Sequence, residues 1–416
     1  MPKYSPDQGF STLVNHAYEG DNPHHAHISP IYMTSTFAFP DVQSGADILS
    51  GKQDGYSYTR TDNPNARQLS AKYAVLEGID LLKAQPEKRP EEVVRGRVFS
   101  SGMAAISSAI LGRVRAGDTI ITQKPLYGNA FRLLKELVPR LGIHVVWVET
   151  TEIDCWQEAF KAHPDAVMAY SESPTNPTLE VVDLRALAEI AHAHGAWAVV
   201  DNTFSTPYCM RPLSMGFDVV VHSTTKYLTG HGLHIGGAVI STQLDFFEPR
   251  TNQLFLAAKL LGGSPSPFDA WLANIGLKTF ELRMQRHCEN ALQISRWLAQ
   301  HPKISRVNYP GLESHPGHAL AKSQMHNGFG GMMSFELKGG YDAGVKLLEG
   351  LQLITLAVSL GNVDSLIQHP ASMTHSAVPR EDRIATGLSD GLVRFSVGIE
   401  NKEDLIADLD QALESV

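Results

Sequence analysis

Cysteine is scarce in this 416-residue chain: Cys155, Cys209 and Cys288 stand far apart and form no CxxC pair. That argues against a disulfide scaffold and against a thiolate zinc site. Long apolar runs are missing too, since no segment approaches the ~20 residues needed to cross a bilayer. The opening "MPKYSPDQGFST" is polar and lacks the apolar core of a secretory signal, so a reducing cytoplasm is the expected location. Positive charge is in deficit, with 35 Lys and Arg against 44 Asp and Glu and a formal charge of −9. The acids are dispersed, and nothing builds the basic face that nucleic acid or an anionic membrane would need. No GxGxxG follows the first strand-like run and no GxxxxGK[ST] occurs anywhere, which removes the dinucleotide and P-loop fingerprints.

What is present is the composition of a soluble globular protein, 43% hydrophobic and 19% charged. The length exceeds one core, so two domains and an arm are expected. Between about residues 95 and 241, "RVFSS" (97–101), "TIITQ", "HVVWV", "AVMAYSE" (166–172), "WAVVDN", "DVVVHST" and "GAVIS" read as strands. They are nearly continuous apolar runs, as expected where helices cover both faces of a sheet. Helical patterns alternate with them. "DLRALAEIAHAHG" starts on an Asp183 N-cap and stops at Gly195. The fold class is α/β, a mainly parallel doubly wound sheet followed by a smaller C-terminal α/β domain. Residues 1–60, rich in Pro, His and aromatics, read as an extended arm, 61–262 as the large domain and 263–416 as the C-terminal one. The charged stretch 81–97 reads as a solvated insertion before the first core strand.

In open α/β sheets ligands bind beyond the carboxyl ends of the strands. There, "SSGMAA" opens a helix whose Gly102 and Met103 amides suit an anion. Asp201 ends one strand, and Ser223, Thr225 and Lys226 end the next. A lysine at a buried strand end is costly as a cation, and its neutral amine is a nucleophile for a carbonyl carbon. An anion cradle, a carboxylate and a lysine are what pyridoxal phosphate requires for its phosphate, its protonated ring nitrogen and its aldehyde. The clustered His24, His25 and His27 lack acidic or cysteine partners at metal-ligand spacing, so no metal is expected.

"DVVVHSTTKYLTGHG" resembles the cofactor-lysine signature of the Cys/Met-metabolism group of pyridoxal-phosphate enzymes. So do "YSYTRTDNPN", "SSGMAA", "LYGN", "SPTNP", "DNTFSTPY", "SLGNVDSLIQHPASMTH" and "GLVRFSVGIE", in this order through most of the chain. The resemblance implies the fold-type I, aspartate-aminotransferase-like architecture and a homotetramer built as a dimer of dimers. It makes Lys226 the cofactor-bearing lysine and Asp201 the partner of the ring nitrogen. Gly102, Met103, Ser223 and Thr225 become phosphate ligands. Tyr58 and Arg60 become phosphate ligands donated by the arm to the neighbouring subunit. Tyr127 becomes the ring-stacking residue and leaving-group proton donor. Arg394 becomes the receptor for the substrate α-carboxylate, helped by Ser359. The implied reaction is γ-elimination on methionine, homocysteine or cystathionine, giving 2-oxobutanoate, ammonia and a thiol. The alternative is γ-replacement on an O-acyl-homoserine. Two positions depart from the methionine γ-lyase pattern: Asn129 where a cysteine is usual, and Leu233 where an aspartate is frequent.

Overall fold

Seven strands, each five residues long, form the larger sheet: β1 (Arg95–Phe99), β2 (Thr119–Gln123), β3 (His144–Val148), β4 (Met168–Glu172), β5 (Trp197–Asp201), β6 (Val219–Ser223) and β7 (Gly237–Ser241). Their spatial order is β1-β7-β6-β5-β4-β2-β3. The computed structural model describes residues 5–20, 22–248, 254–376, 379–385 and 387–416; Met1–Tyr4 of the polar start lie outside these. Successive side chains of a strand point to opposite faces, and here both faces are apolar. Ile121, Ala169, Ala198, Val200 and Val220 join one core, while Ile120, Met168, Tyr170, Val199 and Val219 join another across the sheet. That is why the strands read as continuous rather than alternating hydrophobic runs.

Strands β3, β2, β4, β5 and β6 run parallel, so their carboxyl ends share one rim. Only β7 runs against its neighbours, β1 and β6. The expected first strand is displaced, beginning two residues earlier and ending before Ser100 and Ser101. Those serines instead lead into the helix Gly102–Arg113, where the Ser101 side chain accepts the Ala104 N–H. The helix Leu184–Ala193 is capped as the sequence suggests: Asp183 accepts the Ala186 N–H, and Gly195 takes the left-handed φ of 73°.

The second sheet contains β8 (Ile304–Asn308), β9 (Met332–Leu337), β10 (Thr355–Leu356), β11 (Leu366–Gln368) and β12 (Leu392–Ser396), ordered β10-β11-β12-β9-β8. The stretch 269–300 that reads as helical divides into Pro267–Leu277 and Phe280–Gln300. The closing helix is Lys402–Glu414. Its buried leucines, Leu405, Leu409 and Leu413, enter the core of this second sheet.

The arm needs correcting. It is not uniformly extended, because Phe10–His16 and Val42–Leu49 are helical. Leu13 and Val14 are fully buried, and the Val14 carbonyl accepts from the buried Lys72 amine, which also pairs with Glu19 at 2.6 Å. The short helix survives through these tertiary contacts, which periodicity over seven residues does not reveal. Residues 85–92 are largely exposed as expected of an insertion, but Leu82, Val93 and Val94 at its ends are core residues. No helix among the described residues is long and apolar enough to cross a membrane.

Candidate active site

The parallel strands bring the predicted residues to one rim. Lys226 follows β6 in the turn after Ser223, Asp201 closes β5, and Glu172 closes β4 in register with Asp201. The turn carrying Lys226 is held from beneath by Arg283, which donates to the carbonyls of Tyr227, Leu228 and Gly276. Gly230, at φ 75°, makes room for that guanidinium; a Cβ there would lie 1.9 Å from Arg283 Nη1. From the second sheet, the loop before β11 reaches across. Val363 N–H donates to the Gly230 carbonyl at 2.8 Å, and Gly361 packs so closely that a Cβ would meet Tyr227 N at 2.5 Å.

That loop delivers Ser359, whose φ of 86° is rarely adopted by a side-chain-bearing residue. Strain of this kind concentrates at functional sites. Here it lets one residue serve two cations. Lys226 Nζ donates to Ser359 Oγ at 2.6 Å, and Arg394 Nη2 donates to the Ser359 carbonyl. Burial, reinforced by the Arg394 charge, lowers the Lys226 amine to about 8. Arg394 sits mid-strand in β12 and is 7% exposed. Its other contact is Asn176 Oδ1 at 3.2 Å, and its buried Nε has no partner among the described residues. Burial lowers its pKa to about 10. Among the described residues this buried guanidinium meets a carbonyl and an amide and no carboxylate, the partner that ordinarily compensates it.

The anion cradle has a steric signature. A Cβ on Gly102 would stand 2.8 Å from Ser223 Cβ, so only glycine lets the helix start close against that serine. The Ser223 side chain thus packs against the start of this helix, whose first amides suit an anion. Thr225 stands beside them with its hydroxyl engaged: it donates to the Gly236 carbonyl and accepts the Gly236 N–H. Asp201 is buried, accepts the N–H of Thr203 at 3.0 Å, and has its pKa raised by burial. A dry carboxylate with no cationic side chain bonded to it among the described residues suits a protonated ring nitrogen, so the residues present fit pyridoxal phosphate.

Tyr127 opens the short helix Gly128–Arg132 and is 40% exposed. Asn129 Nδ2 donates to its hydroxyl oxygen at 2.9 Å, and its backbone N–H donates to Glu172 Oε2 at 2.9 Å. Tyr58 and Arg60 are not brought into this group within one chain. Arg60 lies over the Tyr58 ring at 5.4 Å and donates to the Lys259 carbonyl. Sequence reasoning missed Glu172, Asn176 and the hydrogen bond from the Asn129 side-chain amide to the Tyr127 hydroxyl. Glu172 carried the signal that exposed Asp201, an acid at the carboxyl end of a parallel strand.

A doubly wound sheet with an amine, a buried carboxylate and a glycine-opened anion cradle on its carboxyl rim defines a pyridoxal-phosphate enzyme of the aspartate-aminotransferase-like fold. More particularly, the chain belongs to the family of Cys/Met metabolism PLP-dependent enzymes, whose model matches residues 11–414. It is 46% identical over 410 residues to the L-methionine gamma-lyase of Fusobacterium nucleatum subsp. polymorphum, covering 98% of each chain. It is 39% identical to the cystathionine gamma-lyase of Bacillus subtilis, covering 97% of this chain and 98% of the relative. Among solved structures it resembles cystathionine gamma synthase from Xanthomonas oryzae pv. oryzae in complex with aminoacrylate and cysteine, with TM-score 0.88, 39% identity and 98% of each chain covered.

Proposed function

We propose that this chain catalyses γ-elimination on a sulfur amino acid, methionine, homocysteine or cystathionine, releasing 2-oxobutanoate, ammonia and a thiol. The observation that carries this reading is the meeting of the Lys226 amine and the Arg394 guanidinium, which has no carboxylate partner among the described residues, on Ser359. An amine that handles the α-amino group's chemistry beside a guanidinium free for a carboxylate is a receptor for an α-amino acid. The likeness to an L-methionine gamma-lyase and a cystathionine gamma-lyase supports the sulfur chemistry.

Lys226 would hold the cofactor, Asp201 its ring nitrogen, and Gly102, Met103, Ser223 and Thr225 its phosphate, for which Thr225 would exchange its bonds to Gly236. When bound, the cofactor supplies an electron sink for charge that develops at the substrate's Cα. Arg394 fixes the α-carboxylate and so aims the Cα–H bond at the lysine. Lys226, set free when the substrate's amine takes its place and lowered to about 8 by burial, would remove that proton, hand it on and, neutral again, remove one at Cβ. Tyr127 protonates the departing γ-sulfur. The Asn129 amide donates to the tyrosine oxygen, which leaves the phenolic proton free for the leaving group.

Tyr58 and Arg60 would reach the cofactor phosphate of a neighbouring subunit, which requires at least a dimer and accords with a homo-oligomer read from the family resemblance as a tetramer of two dimers. Among the described residues Arg60 donates to a backbone carbonyl and to no carboxylate, which leaves its charge available for such a phosphate. A substrate panel decides the reaction: L-methionine, L-cystathionine and O-acetyl- or O-succinyl-homoserine, each with and without sulfide. Release of 2-oxobutanoate from methionine or cystathionine without added thiol is expected. Turnover confined to an activated homoserine ester with sulfide would replace elimination by γ-replacement, the reaction class to which the synthase likeness points.

A further inference from the structure

Glu172 is a buried acid on the carboxyl rim of the sheet that the chemistry above leaves unused. It is 5% exposed, and its two carboxylate oxygens are divided between two loops. Oε2 accepts the backbone N–H of Tyr127 at 2.9 Å, and Oε1 accepts that of Asn176 at 2.8 Å. Asn176 in turn presents its side-chain oxygen to Arg394. The same strand end holds the first loop a second time, because Gln123 Nε2 bridges the carbonyls of Glu172 and Pro125. We propose that Glu172 is a positioning residue that fixes Tyr127 and, through Asn176, Arg394 at one mutual distance. The proton donor and the carboxylate receptor are thereby set from a single rigid strand end.

This rests on the roles given above to Tyr127 and Arg394. An acid is a costly choice here, because burial and the neighbouring Asp201 both raise its pKa. A glutamine would be cheaper to bury but has one accepting atom. Two inward-pointing N–H groups need two acceptors, and only a carboxyl presents both on one planar end. A substrate held at its carboxylate must find the tyrosine within reach of its γ-sulfur, so the spacing between these anchors enters the rate directly.

The test uses the cofactor-loaded protein with L-methionine and 2-oxobutanoate release. Glu172→Gln keeps the shape and removes one acceptor. It should keep the visible cofactor band and the melting temperature of the parent yet lose about a hundredfold in kcat/KM, through a lower kcat and a higher KM. Placing the substitution in a Tyr127→Phe background separates a positioning role from general loosening. There the kcat loss caused by Glu172→Gln should largely vanish while the KM increase persists. Equal kcat losses in both backgrounds, or parental kinetics for Glu172→Gln, would overturn the proposal. Should Glu172→Gln fail to take up cofactor, Glu172→Asp, which keeps both acceptors one methylene further back, is judged by the same cycle. Failure of both to load would make Glu172 structural and end the proposal. If Tyr127→Phe alone leaves kcat unchanged, the proton-donor role is what fails, and the KM effect still decides the Arg394 limb.

Discussion

A lysine whose amine titrates near 8 in the fold instead of near its usual 10.5 is protonated below that pH and nucleophilic above it. For apoprotein lacking cofactor, the rate of pyridoxal phosphate uptake should therefore rise through about pH 8 and level off beyond it. Stopped-flow growth of the visible band against pH measures this, and a rate still climbing toward pH 10 would mean that burial does not act on Lys226 as described. Lys226→Ala should show no such band at any pH. The second residue-scale expectation concerns Asn129. Removing its amide from the Tyr127 oxygen by Asn129→Ala should lower kcat a few-fold to about tenfold, the worth of one modest hydrogen bond. Cofactor content should not change, and an unaltered kcat would show that the contact has no part in proton donation. At this scale the sequence was informative where a polar residue ends an apolar strand, as at Asp201 and Lys226. It was silent where function runs through backbone amides, because the N–H groups of Tyr127 and Asn176 leave no trace in residue type.

Single elements place these groups, and the helix start at Gly102 shows how narrow the tolerance is. Gly102→Ala would push a methyl group into Ser223, with Cα of that serine also only 3.1 Å away. Either the helix or the end of β6 must shift, a strain of about 1–3 kcal/mol. The expected result is a lower midpoint in denaturant together with weaker cofactor retention on dialysis. A stability loss with unchanged retention would separate the glycine from the cradle. Strands and long helices were legible, because their apolar runs and caps are local signals; Asp183 at the start of Leu184–Ala193 is one. The helix Phe10–His16 was not, since it depends on Lys72 and on a core distant in sequence. The expected strand 97–101 slipped for a related reason. Ser100 and Ser101 continue the β-like pattern, but Ser101 is drawn off to cap the next helix.

At the scale of the molecule, Tyr58 and Arg60 stand apart from the rim that carries Lys226 and Asp201, with Arg60 over the Tyr58 ring and donating to the Lys259 carbonyl. If a neighbouring subunit's arm completes the phosphate cradle, each active site draws on two chains, and this can be separated from an effect within one chain without any structure of the assembly. Arg60→Ala and Lys226→Ala are each expected to be nearly inactive alone, the first through poor cofactor retention and the second through loss of the amine. Co-expressed, they form mixed dimers. One site in such a dimer combines an intact rim from the Arg60→Ala chain with an intact arm from the Lys226→Ala chain, while the other site carries both defects. With random pairing of equal amounts, about a quarter of the parental sites should be whole. Activity recovered to that order in the mixture, and absent from either variant alone, places Arg60 in trans. If the arginine served its own chain instead, every site in the mixture would carry one defect, and co-expression would restore nothing.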